Sequence, residues 1–294
     1  MAKIYLVKPY GFCSGLKRAL YLIKDCEKKY SQIYLLGELL HNPLVIKELK
    51  NKGIKIIQEK EVDFLNNLDK KEKVETVVII RTHGIPKEIL KKIENFGINI
   101  INTTCGYIKK ICTIVENLKK EGYWIVIVGD SGHPEVKTIK SFAEERGIIY
   151  KENLRLKDNL KIGIVSQTTL DEITYQKALT QIITNFQLKE LRIFNTLCPE
   201  VMRRQKEVKK LAKRVDLMII VGGKNSANTK RLKEIAERED CKTLWIANLE
   251  EMKNLRPLVQ KFDKIGIASG TSTPEDFVEL VIKNLKKEVT KDET

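Results

Sequence analysis

The sequence is poor in histidine and in aromatic residues, with three histidines and 6% Phe, Trp and Tyr in 294 residues. It contains no Cys-x-x-Cys pair, no G-x-x-x-x-G-K-S/T loop and no G-x-G-x-x-G turn. These absences argue against a clustered structural zinc site, a Walker A nucleotide site and a dinucleotide fingerprint. The six cysteines of the chain therefore need another explanation.

Long apolar runs are absent as well. The longest, such as WIVIV and LMIIV, have about five residues, whereas a membrane span requires about 20. The start, MAKIYLVKPYGF, has too short an apolar stretch for a signal peptide. We expect a cytoplasmic protein with no membrane association, in which thiols stay reduced and serve as buried apolar groups or metal ligands.

Basic residues exceed acidic ones, 54 Lys and Arg against 39 Asp and Glu, which gives a net charge of +15. This excess is compatible with nucleic acid, a phosphorylated substrate or an acidic protein partner. The basic residues alternate with Glu and Leu in helical segments such as KRLKEIAERED, a pattern typical of solvated helix faces. Charge alone does not decide the function.

Short runs rich in Ile and Val alternate with amphipathic helical patterns along the whole chain. VVIIRT, WIVIVG and LMIIVGG are typical of strands buried on both faces of a sheet. EVMRRQKEVKKLAKRV and PEDFVELVIKNLKKEV are typical of helices. The alternation predicts parallel α/β layers.

Three cysteines mark an internal repeat. Cys13, Cys105 and Cys198 each stand between a predicted strand and a predicted helix, at intervals of 92 and 93 residues. The residues 28 positions after these cysteines are His41, His133 and Ser226. Each repeat then contains a further strand that ends in RTHG, SQTT or SGTSTP. The period exceeds the 20–50 residues of solenoid repeats, so it predicts three homologous small α/β domains.

The predicted domains cover residues 1–97, 98–190 and 191–287, and residues 288–294 form a charged tail. Ligands bind outside the carboxyl ends of the strands in open parallel sheets. The repeat-related cysteines and all three histidines follow predicted strands. A pseudo-threefold arrangement of the domains would bring the cysteines together in one central site.

Three converging cysteines that are distant in sequence suit an iron–sulfur cluster. A closed cubane takes four cysteines, so three would leave one iron open to a reactant. Structural zinc is the main competing metal, and burial of all three as small apolar residues is the alternative without a metal. The other cysteines, Cys26, Cys112 and Cys241, lack the repeat spacing and are interpreted as packing residues.

The stretch GHPEV places His133 and Glu135 at the start of a predicted helix. A carboxyl group beside an imidazole is a plausible proton source. A glutamate in the first turn can also simply complement the helix dipole.

Two further stretches offer groups that bind phosphate. VGGKNSANTKRL carries Ser226 and Asn228 at a helix start, and ASGTSTPED repeats the pattern with Ser272. Either serine can instead be an ordinary N-cap, and His41 and His83 can be core histidines. Taken together, these residues predict a cavity for a small diphosphate.

The ordered motifs GFCSGLKRA, GELLHN, RTHGIP, NTTC, GHPEV, SQTTL, NTLC, GGKNSANTKRL and GTSTPED extend over about residues 3–285. In these motifs the sequence resembles the 4-hydroxy-3-methylbut-2-enyl diphosphate reductase family of the methylerythritol phosphate route to isoprenoids. The resemblance implies an iron–sulfur oxidoreductase built as a trefoil of three α/β domains. It also implies a 4Fe–4S cluster with one open iron, held by Cys13, Cys105 and Cys198.

The resemblance further implies the reaction and its residues. An allylic hydroxyl would leave as water after uptake of two electrons and two protons, which yields isopentenyl and dimethylallyl diphosphates. Glu135 would deliver protons, and Thr168 would lie close to the reacting hydroxyl. The diphosphate would be bound by His41, His83, His133, Ser226, Asn228, Ser272 and the backbone of Ala227. A flavodoxin or ferredoxin would supply the electrons.

The chain departs from the family pattern at several positions. Ala227 replaces a serine, Gly106 replaces a proline, and Thr138-Ile139 replaces Gly-Thr. Glu200-Val201 replaces Ala-Thr, and a glutamate so close to an anion site is unexpected.

Two kinds of rival remain. Another three-cysteine cluster enzyme, such as quinolinate synthase or a diphthamide-type enzyme, would share the architecture, but GHPEV and the Ser-x-Asn loop argue against both. A basic nucleic-acid-binding protein with a structural metal would need lysines and arginines interleaved with stacking aromatics. No such interleaving is present, so we expect no nucleic-acid partner.

Overall fold

The structure, a computed structural model, describes residues 2–253 and 259–290. The strands are β1 (Lys3–Leu6), β2 (Gln32–Leu36), β3 (Lys55–Ile57), β4 (Thr76–Ile80), β5 (Asn99–Asn102), β6 (Trp124–Val128), β7 (Gly147–Ile149), β8 (Leu160–Ser166), β9 (Leu188–Ile193), β10 (Leu217–Val221), β11 (Lys242–Ile246) and β12 (Lys264–Ser269). The α-helices are α1 (Ser14–Cys26), α2 (Pro43–Asn51), α3 (Lys70–Glu75), α4 (Lys87–Glu94), α5 (Gly106–Lys120), α6 (Pro134–Ala143), α7 (Glu172–Asn185), α8 (Pro199–Ala212), α9 (Ala227–Glu237), α10 (Glu250–Lys253) and α11 (Glu275–Thr290). Two 3-10 helices cover Glu59–Asn67 and Glu144–Arg146.

The strands form three parallel sheets of four strands each, with the orders β3-β2-β4-β5, β7-β6-β8-β9 and β11-β10-β12-β1. In each of these orders the chain forms the second strand first, then the first strand and then the third. The three sheets are therefore copies of one topology, and the predicted class of three small parallel α/β sheets is confirmed.

Sheet membership is shifted by one strand relative to the predicted domain boundaries. β5, which begins the predicted second domain, pairs with β4 of the preceding sheet. β1, at the start of the chain, pairs with β12 near its other end. The strands that lead to Cys105 and Cys198 thus complete sheets begun by earlier segments, whereas the strand that leads to Cys13 completes a sheet of later strands. The boundaries at 97/98 and 190/191 stay a prediction.

By internal contacts the chain forms two compact units. One contains the sheet β11-β10-β12-β1 together with Leu40–Glu48 and α8 to α11. The other contains the remaining two sheets and ends at Cys198.

The central strands of the first unit, β10 and β12, are buried on both faces, as their unbroken apolar runs predict. Alternate residues of β10 point in opposite directions. Leu217, Ile219 and Val221 pack in a core with α11, whereas Met218 and Ile220 pack in a second core with α8 and α9. Helices therefore cover both faces of this sheet, which leaves the loops at the strand ends free for function.

The last helix extends into the predicted charged tail. α11 continues to Thr290, three residues into the tail predicted for residues 288–294, because neither Pro nor Gly interrupts the helical pattern. Residues 291–294 lie outside the described part of the chain. Within residues 2–253 and 259–290, every helix is too short or too polar to span a bilayer.

Candidate functional site

The three predicted ligand cysteines share one local structure. Each follows the outer strand of a sheet, and its backbone N–H donates to the carbonyl of a threonine two residues beyond the third strand. The N–O distances are 3.2 Å for Cys13 and Thr271, 3.0 Å for Cys105 and Thr82, and 3.0 Å for Cys198 and Thr168. This repeated contact fixes the backbone at each thiol in the same way.

These three thiols differ from the other cysteines of the chain. Cys13, Cys105 and Cys198 are partly exposed and outside any disulfide. Soft thiolates on three separate loops are the donor type that iron–sulfur clusters use, so this donor set fits such a cluster.

The remaining cysteines, Cys26, Cys112 and Cys241, are all buried. Burial raises the pKa of each thiol, and for Cys112 it does so to about 12. Such thiols stay protonated at neutral pH and are poor metal ligands. Their burial agrees with the interpretation as packing residues.

Glu135 is a buried acid at the start of α6, with 1% of its surface exposed. The helix begins at Pro134, and its N-cap His133 accepts a hydrogen bond through Nδ1 from the N–H of Glu135 at 3.2 Å. Thr168 donates to both carboxylate oxygens, from its N–H to Oε1 at 2.6 Å and from Oγ1 to Oε2 at 2.9 Å. The carboxyl group is therefore held in one orientation.

Burial raises the pKa of Glu135 from 4.5 to about 7, although the two hydrogen bonds from Thr168 oppose the rise. A carboxyl group with such a pKa carries a proton in a large fraction of molecules near neutral pH. It can both donate and recover a proton there, as general acid catalysis requires.

Two predicted anion-binding histidines lie together in the second unit. The rings of His83 and His133 stand edge to face, with centroids 5.3 Å apart and planes at 85°. His83 lies in a tight turn after β4, in which the N–H of Gly84 donates to the carbonyl of Arg81 at 3.0 Å. Gly84 has a φ of 75°, which favours glycine.

The first unit contains a group of neutral hydrogen-bonding side chains at the start of α9. The N-cap Ser226 accepts from the N–H of Thr229 and from the hydroxyl of Ser272, both at 3.3 Å. Its own hydroxyl hydrogen is left to donate elsewhere. Asn228 is only 3% exposed, and neither its Oδ1 nor its Nδ2 has a partner among the described residues. A buried unpaired amide is costly, so this site favours a polar ligand.

The loop after β2 packs closely against this group. Asn42 donates through Nδ2 to the carbonyl of Ser272 at 2.9 Å. A side chain at Gly223 would lie 2.4 Å from the carbonyl oxygen of His41, so only glycine allows the approach. His41, Ser226, Asn228 and Ser272 therefore belong to one group of loops in this unit, and Ala227 is the first residue of the helix.

Two of the departures from the family pattern have local explanations. Glu200 pairs with Arg204, which is 1% exposed, at 3.1 Å, and also accepts from the N–H of Ser14 at 3.5 Å. Arg204 therefore balances the charge of Glu200. The carboxylate also lies at the start of α1, where a negative charge is favourable, so a glutamate is tolerated at this position. At Gly106 a Cβ would meet nothing within 4 Å, so the helix start needs no particular residue.

Three residues of this region were not predicted from the sequence. Thr82 and Thr271 occupy the position of Thr168 in the other sheets, and Asn42 joins two loops. The available signal was the alignment of RTHG, SQTT and SGTST, in which a threonine recurs two positions after the strand. No pattern in the sequence marked the Asn42 contact, because it joins segments 230 residues apart.

The fold and these loops define a class of protein: parallel α/β sheets with thiols, a buried acid and a helix start with an unpaired amide at the strand ends. A family model described as LytB protein matches residues 4–286. The chain belongs to this family of iron–sulfur enzymes.

Curated relatives cover nearly the full length. The chain is 40% identical to the 4-hydroxy-3-methylbut-2-enyl diphosphate reductase of Dictyoglomus thermophilum over 286 residues, 96% of each chain. It is 37% identical to the protein of the same name from Caldanaerobacter subterraneus over 298 residues, 99% of each chain.

Solved structures agree with this family. A structure of (E)-4-hydroxy-3-methyl-but-2-enyl diphosphate reductase, the terminal enzyme of the non-mevalonate pathway, matches with a TM-score of 0.66 and 33% identity, over 98% of this chain and 100% of that one. The Plasmodium falciparum E-1-hydroxy-2-methyl-but-2-enyl-4-diphosphate reductase matches in fold with a TM-score of 0.87 at 24% identity, over 96% and 87%.

Proposed function

We propose that this protein reduces (E)-4-hydroxy-3-methylbut-2-enyl diphosphate to isopentenyl and dimethylallyl diphosphates, with release of water. Thr168 carries the proposal, because its backbone and side chain join two parts that the reaction needs. Its carbonyl accepts from the N–H of Cys198, and its N–H and hydroxyl both bind Glu135. The proposed cluster ligand and the proposed proton donor are thereby both hydrogen-bonded to one residue.

Cys13, Cys105 and Cys198 are the proposed ligands of a 4Fe–4S cluster with one open iron. Their equal spacing and their matched contacts with three threonines support a common role. When bound, the cluster supplies electrons and a Lewis-acidic iron to the hydroxyl of the substrate. The pseudo-threefold arrangement around this cluster belongs to the same proposal.

The reaction consumes two electrons and two protons for each C–O bond broken. One proton leaves with the hydroxyl as water, and the other forms the new C–H bond at the allyl group. Glu135 is the proposed donor of a proton, and Thr168 is the proposed contact to the reacting hydroxyl. Since Thr168 Oγ1 already donates to Glu135, the two side chains form a short path for proton transfer.

The diphosphate is proposed to bind His41, His83, His133, Ser226, Asn228, Ser272 and the N–H of Ala227. The support is strongest at α9, where Asn228 is buried without a partner and the helix N-terminus adds donor groups. Ser226 has a hydroxyl hydrogen to donate, because it already accepts two hydrogen bonds. Neutral donors of this kind bind an anion without a buried counter-charge of their own.

The electrons are proposed to come from a flavodoxin or ferredoxin, whose acidic surface would complement the net charge of +15. The cytoplasmic location and the lack of nucleic-acid and membrane partners stay predictions.

Anaerobic turnover tests the function directly. The cluster-loaded protein, given the hydroxylated diphosphate and a chemical reductant, should form both C5 diphosphates and water. A colourless, zinc-loaded protein that forms neither product would contradict the proposal.

Cys105→Ser tests the cluster ligands, with Cys112→Ser as the matched control on the same helix. Loss of one of three ligands should remove most cluster iron and activity. The control should keep both, because burial holds the Cys112 thiol protonated, with a pKa of about 12. Iron per protein and the visible spectrum measure the outcome, and equal iron in the two variants would reject Cys105 as a ligand.

A further inference from the structure

Arg81 is a buried cation directly after β4, two residues before His83. Only 9% of its surface is exposed. Its Nε donates to the carbonyl of Gly84 at 3.0 Å, and its terminal nitrogen Nη2 lies 2.6 Å from Oε1 of Glu59. Burial lowers the pKa of Arg81, whereas the carboxylate of Glu59 opposes this effect and keeps the guanidinium charged.

The side chain of Arg81 crosses the ends of three neighbouring strands. β3, β2 and β4 are adjacent in that order, Arg81 follows β4, and Glu59 follows β3. Between them lies Gly37, directly after β2, where a Cβ would lie 2.2 Å from a guanidinium nitrogen. Gly37 has a φ of 72° and leaves room for the crossing. The Arg81–Glu59 pair therefore joins the loops after β3 and β4 across the loop after β2.

The same side chain closes the turn that contains His83. Gly84 donates its N–H to the carbonyl of Arg81, and the Nε of Arg81 donates to the carbonyl of Gly84. The two hydrogen bonds join both ends of a four-residue turn. His83 lies inside this turn, so its backbone has little freedom to move.

Thr82 adds two further connections. Its hydroxyl donates to the carbonyl of Leu39 at 2.6 Å, and its own carbonyl accepts from the N–H of Cys105 at 3.0 Å. Thr82, the residue before His83, thus connects the turn both to the loop after β2 and to Cys105, a proposed cluster ligand.

The equivalent position in the next sheet makes the same kind of tie. Gln167 is the first residue after β8, as Arg81 is after β4. Its Oε1 accepts from the N–H of Asp130 in the loop after β6 at 3.0 Å, and its Nε2 donates to Thr169 at 2.8 Å. A side chain at this position thus bonds its own loop and the loop after another strand in both sheets, although Arg81 reaches two strands away and Gln167 only one.

We propose that Arg81 is a positioning residue: through its contacts with Gly84 and Glu59 it holds His83 where the diphosphate binds. The proposal rests on the proposed function, in which His83 contacts the diphosphate. Arg81 itself lies under the turn and acts through it. Its loss should therefore raise KM and weaken diphosphate binding, with little effect on kcat or cluster content.

The test is a double-mutant cycle of Arg81→Lys and His83→Ala in the cluster-loaded protein, with inorganic pyrophosphate as the calorimetric probe. Lysine keeps the positive charge but lacks the forked guanidinium group that reaches both Gly84 and Glu59. Arg81→Lys should weaken pyrophosphate binding about tenfold in the wild-type background, as loss of a charged hydrogen bond does. In the His83→Ala background it should change binding less than twofold, because contacts that act through one group are not additive.

Glu59→Gln provides a second, milder variant. It keeps the Nε contact to Gly84 and should raise KM about threefold, and Glu59→Asp should restore part of the loss. Lys92→Gln is the matched control, because Lys92 forms an ion pair with Asp63 at 2.5 Å whose two side chains are 43% and 70% exposed. This control should leave KM, kcat and iron content unchanged.

The outcomes separate the two proposals. Equal effects of Arg81→Lys in both backgrounds, or a lower melting temperature without weaker binding, would overturn the positioning role alone. If His83→Ala itself leaves pyrophosphate binding intact, the assignment of His83 to the diphosphate fails, and the positioning role fails with it.

Discussion

Two helix starts occupy the same place in two of the sheets and carry different chemistry. α6 follows β6 and α9 follows β10, and the two strands have the same position in their sheets. Their N-caps, His133 and Ser226, each stand 28 residues after a proposed cluster ligand. Two residues further on, α6 carries Glu135 and α9 carries Asn228.

Glu135 and Asn228 are both buried, at 1% and 3% exposure. Glu135 receives two hydrogen bonds from Thr168, whereas neither polar atom of Asn228 has a partner in the described chain. A satisfied, buried carboxyl group is suited to hold and release a proton. A buried neutral amide without hydrogen-bond partners is suited to bind a charged ligand.

One topology places both side chains at a helix N-terminus. The proposed roles of acid and anion receptor follow the replacement of a carboxyl group by an amide. Two isosteric substitutions in opposite directions can therefore test the division.

Glu135→Gln should have the largest effect, because it removes the transferable proton and keeps the shape. We expect kcat to fall about 1,000-fold, within the range for a general acid, with little change in KM or iron content. Single-turnover kinetics with product analysis measures the change. A kcat within tenfold of wild type would assign the proton to another group.

The pH dependence tests the same carboxyl group without a substitution. With a pKa of about 7, Glu135 is protonated below pH 7 and ionised above it, so kcat should fall about tenfold per unit above pH 7. The residual turnover of Glu135→Gln should not show this fall. Difference infrared spectra of the two proteins should show the carboxylic acid band disappear over the same range; a band lost near pH 4.5 would contradict the effect of burial.

Much of this arrangement could be predicted from the sequence, because the repeat consists of local sequence patterns. The sequence itself shows the apolar strand segments, the polar residues that follow them and the spacing of Cys13, Cys105 and Cys198. They were sufficient to predict three parallel sheets with ligands at the strand ends.

What the sequence could not show depends on non-local pairing. The run that forms β1 looks like any other buried strand, and only the structure shows that it pairs with β12, some 260 residues later. The Glu200–Arg204 pair shows a second limit. A glutamate beside an anion site looked out of place, because the buried arginine one turn further on could not be assigned to it from the pattern.

Asn228→Asp is the reverse exchange. It replaces the neutral amide that is proposed to bind the diphosphate by a negatively charged carboxylate. A carboxylate facing the diphosphate costs several kcal/mol, so KM should rise on the order of 100-fold, with kcat at saturation much less affected. Pyrophosphate titration measures the binding loss. Asn117→Asp, the same change at an exposed position of α5, is the control and should bind normally.

Ala227→Ser should have the smallest effect, in the favourable direction. Ala227 is the first residue of α9, between Ser226 and Asn228, and is partly exposed. A hydroxyl there would add one donor for the diphosphate, and one net hydrogen bond corresponds to about a threefold lower KM. Ala227→Gly, which keeps the N–H and adds no donor, should lack this gain, because Asn228 and the helix start are unchanged. An unchanged KM in the serine variant would mean that the backbone N–H and the neighbouring amide of Asn228 already saturate this side of the anion.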